Sequence, residues 1–116
     1  MTASIYADVT MGSSAVGREQ ECEAFDIGIA LMEAARAEPD SFDRTRDAAR
    51  HVQTLWGFLI KDLSQPANDL SEELKANLIS IGLWVIRETD AILGGHKSDW
   101  TPVIDINRTV REGLAT

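Results

Sequence analysis

Spaced at 100° per residue, positions 15–37 place Cys22, Phe25, Ile29 and Met32 on one stripe and Ala24, Ile27, Leu31 and Ala34 on a second. Glu19, Glu23, Asp26 and Glu33 fill the remaining strip, so the pattern predicts a helix that is apolar over more than half its circumference, with an acidic seam toward solvent. The run Ala37-Glu38-Pro39-Asp40 ends it, because proline lacks the amide hydrogen and pushes the preceding residue out of helical dihedrals. Ser41 then caps a second helix in which Phe42, Thr45, Ala49, Val52, Trp56, Leu59 and Leu63 recur at three- and four-residue spacing beside Leu55 and Ile60. Asp43, Arg44, Arg46, Asp47, Arg50, Lys61 and Asp62 mark its outer face, which also carries His51, read as solvated.

Pro66 and Asn68 make a turn, after which Ser71 or Asp69 caps a third helix with Glu72 and Glu73 beside its positive end. Leu74, Leu78, Ile81, Val85 and Ile92 form one stripe of that helix and Ile79, Gly82, Leu83, Ile86 and Leu93 another. Gly94-Gly95 stops it, and Thr101-Pro102 reads as a cap plus first-turn proline opening a short fourth helix lined by Val103, Ile106, Val110 and Leu114, with Gly113 as its stop. No window alternates apolar and polar residues as a strand would. The fold class is all-α, a small bundle of about four helices spanning 15–116 as one domain, preceded by a Ser/Thr/Ala/Gly-rich arm over 1–14 that ends in a serine cap.

The chain has 116 residues and a formal charge of −8, from 11 Lys+Arg against 19 Asp+Glu. That field repels phosphate backbones and argues against direct nucleic-acid binding. Cys22 stands alone, so no intrachain disulfide or cysteine zinc site is expected, and a cytoplasmic location suits it. The first 17 residues carry no lysine or arginine and no sustained apolar run, so neither a secretory signal nor membrane insertion is expected.

Candidate chemistry is sparse. His51 and His96 lack the spacing of a metal pair, and Gly95-His96-Lys97-Ser98 lacks the strand and the Gly-Lys step of a phosphate loop. Asn107-Arg108-Thr109 fits a glycosylation sequon, but Asn107 falls on the apolar side of its helix. No enzyme, cofactor or metal is expected. The unusual feature is surplus apolar surface: helices one and three exceed the stripe a bundle needs, and Phe58, Trp84 and Trp100 sit off the main stripes. Either each of these aromatics covers a neighbouring helix or the arm, or they mark a groove for an amphipathic helix between helices one and three, with Ile27, Leu31, Leu83 and Trp84 as anchors and Phe58 as a further contact. Gly82 would let another backbone approach helix three closely.

The run Ile104-Asp105-Ile106-Asn107-Arg108 followed by Gly113-Leu114 resembles the closing motif of the bacterial flagellar regulator FlaF family. In order along the chain, Tyr6, Arg18-Glu19 with Glu21, Leu55-Trp56, Asn68 with Leu70, and Glu73-Leu74 leading into Asn77-Leu78-Ile79-Ser80-Ile81 are similar to the same family. Two departures stand out: His51-Val52-Gln53-Thr54 where the family carries an asparagine before its Leu-Trp pair, and Ser71 where proline often follows the Asn-x-Leu element. The resemblance implies a cytoplasmic, non-enzymatic protein that links flagellin synthesis to secretion and assembly. It implies flagellin as partner of an export chaperone, with a second regulator, FlbT, acting in opposition. The alternative is post-transcriptional control of flagellin translation, with FlbT or through RNA held by Arg44, Arg46 and Arg50.

Overall fold

The computed structural model describes residues 14–115, so the arm and its Tyr6 lie outside the described residues. Within them the chain forms α1 (Ser14–Ala37), α2 (Phe42–Leu63), α3 (Glu72–Leu93) and α4 (Thr101–Ala115), with no strand. The helix ends follow the local chemistry closely. Ser41 Oγ accepts the Arg44 amide at 3.3 Å and Ser71 Oγ accepts the Leu74 amide at 3.2 Å, each satisfying one of the unpaired donors of a first turn. Serine at position 71 therefore starts α3 without the family's proline.

At the end of α3, Gly95 has φ 78°, the left-handed conformation that glycine adopts without strain. The His96 amide then donates to Ala91 O at 2.9 Å and the Gly95 amide to Ile92 O at 3.1 Å, a Schellman closure.

Three boundaries differ from the sequence expectation. Ser14 is the first residue of α1, where a cap was expected. Thr101 is inside α4: Asp99 Oδ1 accepts its amide at 2.9 Å, so the aspartate supplies the side-chain cap, and that hydrogen bond holds the Asp99 carboxyl below its ordinary pKa. Gly113 does not stop α4, which runs on to Ala115, since one glycine costs a helix only about 1 kcal/mol.

The helices pack in a ring in which α2 lies between α1 and α3, and α4 lies against α1 and touches α3 only lightly. The core is Phe25, Met32 and Ala35 from α1, Ala48, Ala49, Val52, Leu55 and Trp56 from α2, Val85 and Ile92 from α3, and Trp100, Val103 and Ile104 at α4. Trp100, off the main stripes in the sequence, lies in the loop before α4, is only 2% exposed and packs into the core. Loop residues can fill a core whenever the chain must turn across the open end of a bundle.

Trp56 sets the spacing of the centre. Its ring meets Phe25 edge to face, centroids 5.7 Å apart, and rests on Gly82, where an added Cβ would lie 2.7 Å from Trp56 Cε3. The close approach expected at Gly82 is thus taken by α2 of the same chain. Polar clamps hold α2 to both neighbours. His51 Nε2 donates to Ala24 O at 2.8 Å across α1, which requires the proton on Nε2, and Gln53 Nε2 donates to Thr89 Oγ1 and Asp90 Oδ1 on α3, each at 2.8 Å. His51 is therefore half-buried at a helix interface and not solvated, because the narrow Gly28 surface lets its ring lie against α1.

Candidate functional site

Two members of the acidic strip of α1 are paired at the surface with arginines of α4. Arg111 grips Asp26 bidentately, Nε to Oδ1 at 2.9 Å and Nη2 to Oδ2 at 3.1 Å, and Arg108 pairs with Glu33. Arg36 adds a bond from Nη1 to Thr101 Oγ1 at 3.3 Å. These contacts fasten α4 along α1. Inside the bundle, Trp56 Nε1 donates to Asn107 Oδ1 at 2.9 Å while Asn107 Nδ2 donates to Val103 O at 2.7 Å, so α2 reaches α4 through a buried, fully paired polar link. No equivalent clamp joins α4 to α3 among the described residues.

The consequence is an open seam between α3 and α4. A groove of about 520 Å³ runs along it, lined by Ser80, Ile81 and Trp84 on α3 and by Pro102, Asp105, Ile106 and Thr109 on α4. The closing run of the chain divides its work by helical position. Ile104 enters the core, Asp105 and Ile106 line the groove, Asn107 holds Trp56, and Arg108 ties α4 to Glu33.

The anchors read from the sequence are distributed over this frame. Trp84 is half-buried and lines the groove, and Leu83, 48% exposed, lies next to it on the outer face of α3. Ile27 is 53% exposed on α1 and Leu31 is half-buried against the core. α1 and α3 stand diagonally, separated by α2 and α4, so the expected α1–α3 groove is not formed and these two pairs do not share a face. Phe58 is half-buried on α2, away from the groove lining. Asp105 and Ser80 stand in the runs that resemble the family and Pro102 opens α4, but the sequence does not place any of them, or Thr109, in a groove. Their spacing was visible in the sequence, but nothing in it paired α3 with α4.

At the opposite end of α2, Asn68 Nδ2 donates to Asp62 Oδ2 at 3.2 Å and Asn68 Oδ1 accepts the Leu70 amide at 3.1 Å, shaping the turn into α3. Arg18 and Glu19 are exposed on the first turns of α1. Burial, and next the negative charge of Asp62, push the Glu21 carboxyl up from 4.5 to about 7, with Arg18 opposing. The native state then binds this proton more tightly than the unfolded chain, so its contribution is fully favourable below pH 4.5 and is lost as pH rises through about 7. Glu21→Gln is expected to gain stability over the wild type above pH 7, on the order of 1 kcal/mol after solvent screening of a half-buried group, and to match it below about pH 4. Urea midpoints of both proteins across that range check the sign.

Among the described residues no group of three or more His, Cys, Asp or Glu could hold a metal ion, and no helix is long and apolar enough to cross a membrane. Comparison with known proteins returns one family: the model described as flagellar protein FlaF matches residues 2–114. No curated protein and no solved structure matches the chain.

Proposed function

The chain belongs to the FlaF family of flagellar proteins, and from that premise we propose that it is a cytoplasmic, non-enzymatic flagellin-binding protein that shields flagellin before export. The observation that carries this reading is the open α3–α4 seam, an apolar trough on an otherwise acidic bundle. Amphipathic segments awaiting assembly need apolar surface to cover them, and the −8 charge keeps such a complex soluble. FlbT enters as the opposing regulator of the same partner.

The arginines that an RNA-binding reading requires are largely occupied. Arg44 pairs with Glu38, and Arg46 lies 3.1 Å from Asp43 and 3.4 Å from Asp47, so a phosphate would have to displace carboxylates already in place. Size-exclusion chromatography with light scattering, run on the purified protein alone and mixed with monomeric flagellin, tests the proposal. A stable complex is expected. Failure to form one, together with RNA binding that weakens steeply with salt and is lost on changing Arg44, Arg46 and Arg50, would replace it with the translational role.

A further inference from the structure

We infer that the α3–α4 groove receives one face of an amphipathic helix, about two turns long, that carries a lysine or arginine placed to meet Asp105; the inference rests on the flagellin-binding reading and locates its site. The dimensions come from the helices themselves. Pro102 and Thr109 are seven residues apart on α4, a rise of about 10 Å. That length accepts apolar side chains at i, i+3 or i+4, and i+7, the anchors of helix-in-groove binding. Trp84, Ile81 and Ile106 supply the floor, and the trough is open along its length, unlike the enclosed pockets that hold small molecules.

Charge selects the occupant. Asp105 is the one charged residue in the lining, it is exposed, and its carboxylate makes no hydrogen bond or ion pair with the described residues. On the α1 side of α4, Glu33 and Asp26 are paired with Arg108 and Arg111, whereas Asp105 lines the groove. An occupant with a basic residue beside its apolar stripe would complete it. Residues 1–13 hold Asp8 and no lysine or arginine, and a second copy carries a net charge of −8, so neither complements the groove as such a partner does.

The test is isothermal titration of monomeric flagellin into the full chain and four variants, with light scattering on each protein alone. Ser80→Arg and Thr109→Arg change exposed positions on opposite lips and fill the trough without touching the core. Each is expected to weaken binding about tenfold or more, and Asp105→Lys about tenfold, with helical circular dichroism unchanged. Ile27→Asp, on α1, is the comparison and is expected to bind like the wild type. On binding, the half-buried Trp84 should shift its emission to shorter wavelength, and that shift should vanish in Trp84→Phe. If flagellin binds the wild type and all groove variants equally, or if only Ile27→Asp weakens it, the groove assignment is overturned while the flagellin reading stands. If the wild type binds no flagellin, both fall. A dimer of the free chain that Ser80→Arg dissolves would make a second copy the occupant and overturn the inference as well.

Discussion

Trp56→Ala is expected to lower the stability of the bundle by about 3–5 kcal/mol, the cost of deleting a fully buried large aromatic side chain. The indole is 0% exposed, touches Phe25 edge to face, supports Gly82 from below and donates to Asn107, so its loss opens space against three of the four helices at once. Little of that space can close. α3 is held at its distance by Gln53 bonds to Thr89 and Asp90, and α4 by its Arg108 and Arg111 bound to Glu33 and Asp26 of α1, so the walls are tethered from elsewhere. For a domain of this size whose total stability is about 5–15 kcal/mol, the change should lower Tm by about 15–25 °C. Urea or thermal unfolding followed by circular dichroism reads it directly, and a loss below about 1 kcal/mol would mean the surrounding helices collapse onto the site.

Asn107→Leu is expected to cost about 2–3 kcal/mol even though leucine has a similar volume and is more apolar. The substitution removes the acceptor for Trp56 Nε1 and leaves that donor buried without a partner, and it is the orphaned group that carries the penalty. Trp56→Phe removes the donor instead. The double variant should therefore be less destabilised than the sum of the two single changes, with a coupling of about 1–2 kcal/mol. Additive losses would show that Asn107 contributes packing alone. The same cycle bears on the groove, because the Trp56–Asn107 link fixes the rotation of α4 about its axis and thus aims Asp105 and Ile106 into the seam.

Much of the fold was legible in the sequence. Ser41, Ser71 and Gly94-Gly95 act within one turn of the chain, so capping chemistry alone located those ends. The apolar period gave the four helices, and it separated Phe25 and Met32 from the acidic side of α1. The candidate site was only half legible. Trp84 was singled out as an off-stripe aromatic and does line the groove, but Leu31 and Ile27 were matched to the wrong neighbour because a helical wheel assigns faces and says nothing of which helix stands opposite.

What the sequence determined by itself is everything set by contacts a few residues apart: the all-α class, the caps, the apolar stripes and the surplus apolar surface. Tertiary structure decided what depends on side chains distant along the chain. Asp26 reaches Arg111 across 85 positions and Trp56 reaches Asn107 across 51, and those pairings turned an apparent solvent seam into a clamp and a sequon asparagine into a core partner. They also decided where the bundle stays open, since a groove exists only where neighbouring helices are not fastened, and fastening is a property of pairs that no single helix displays.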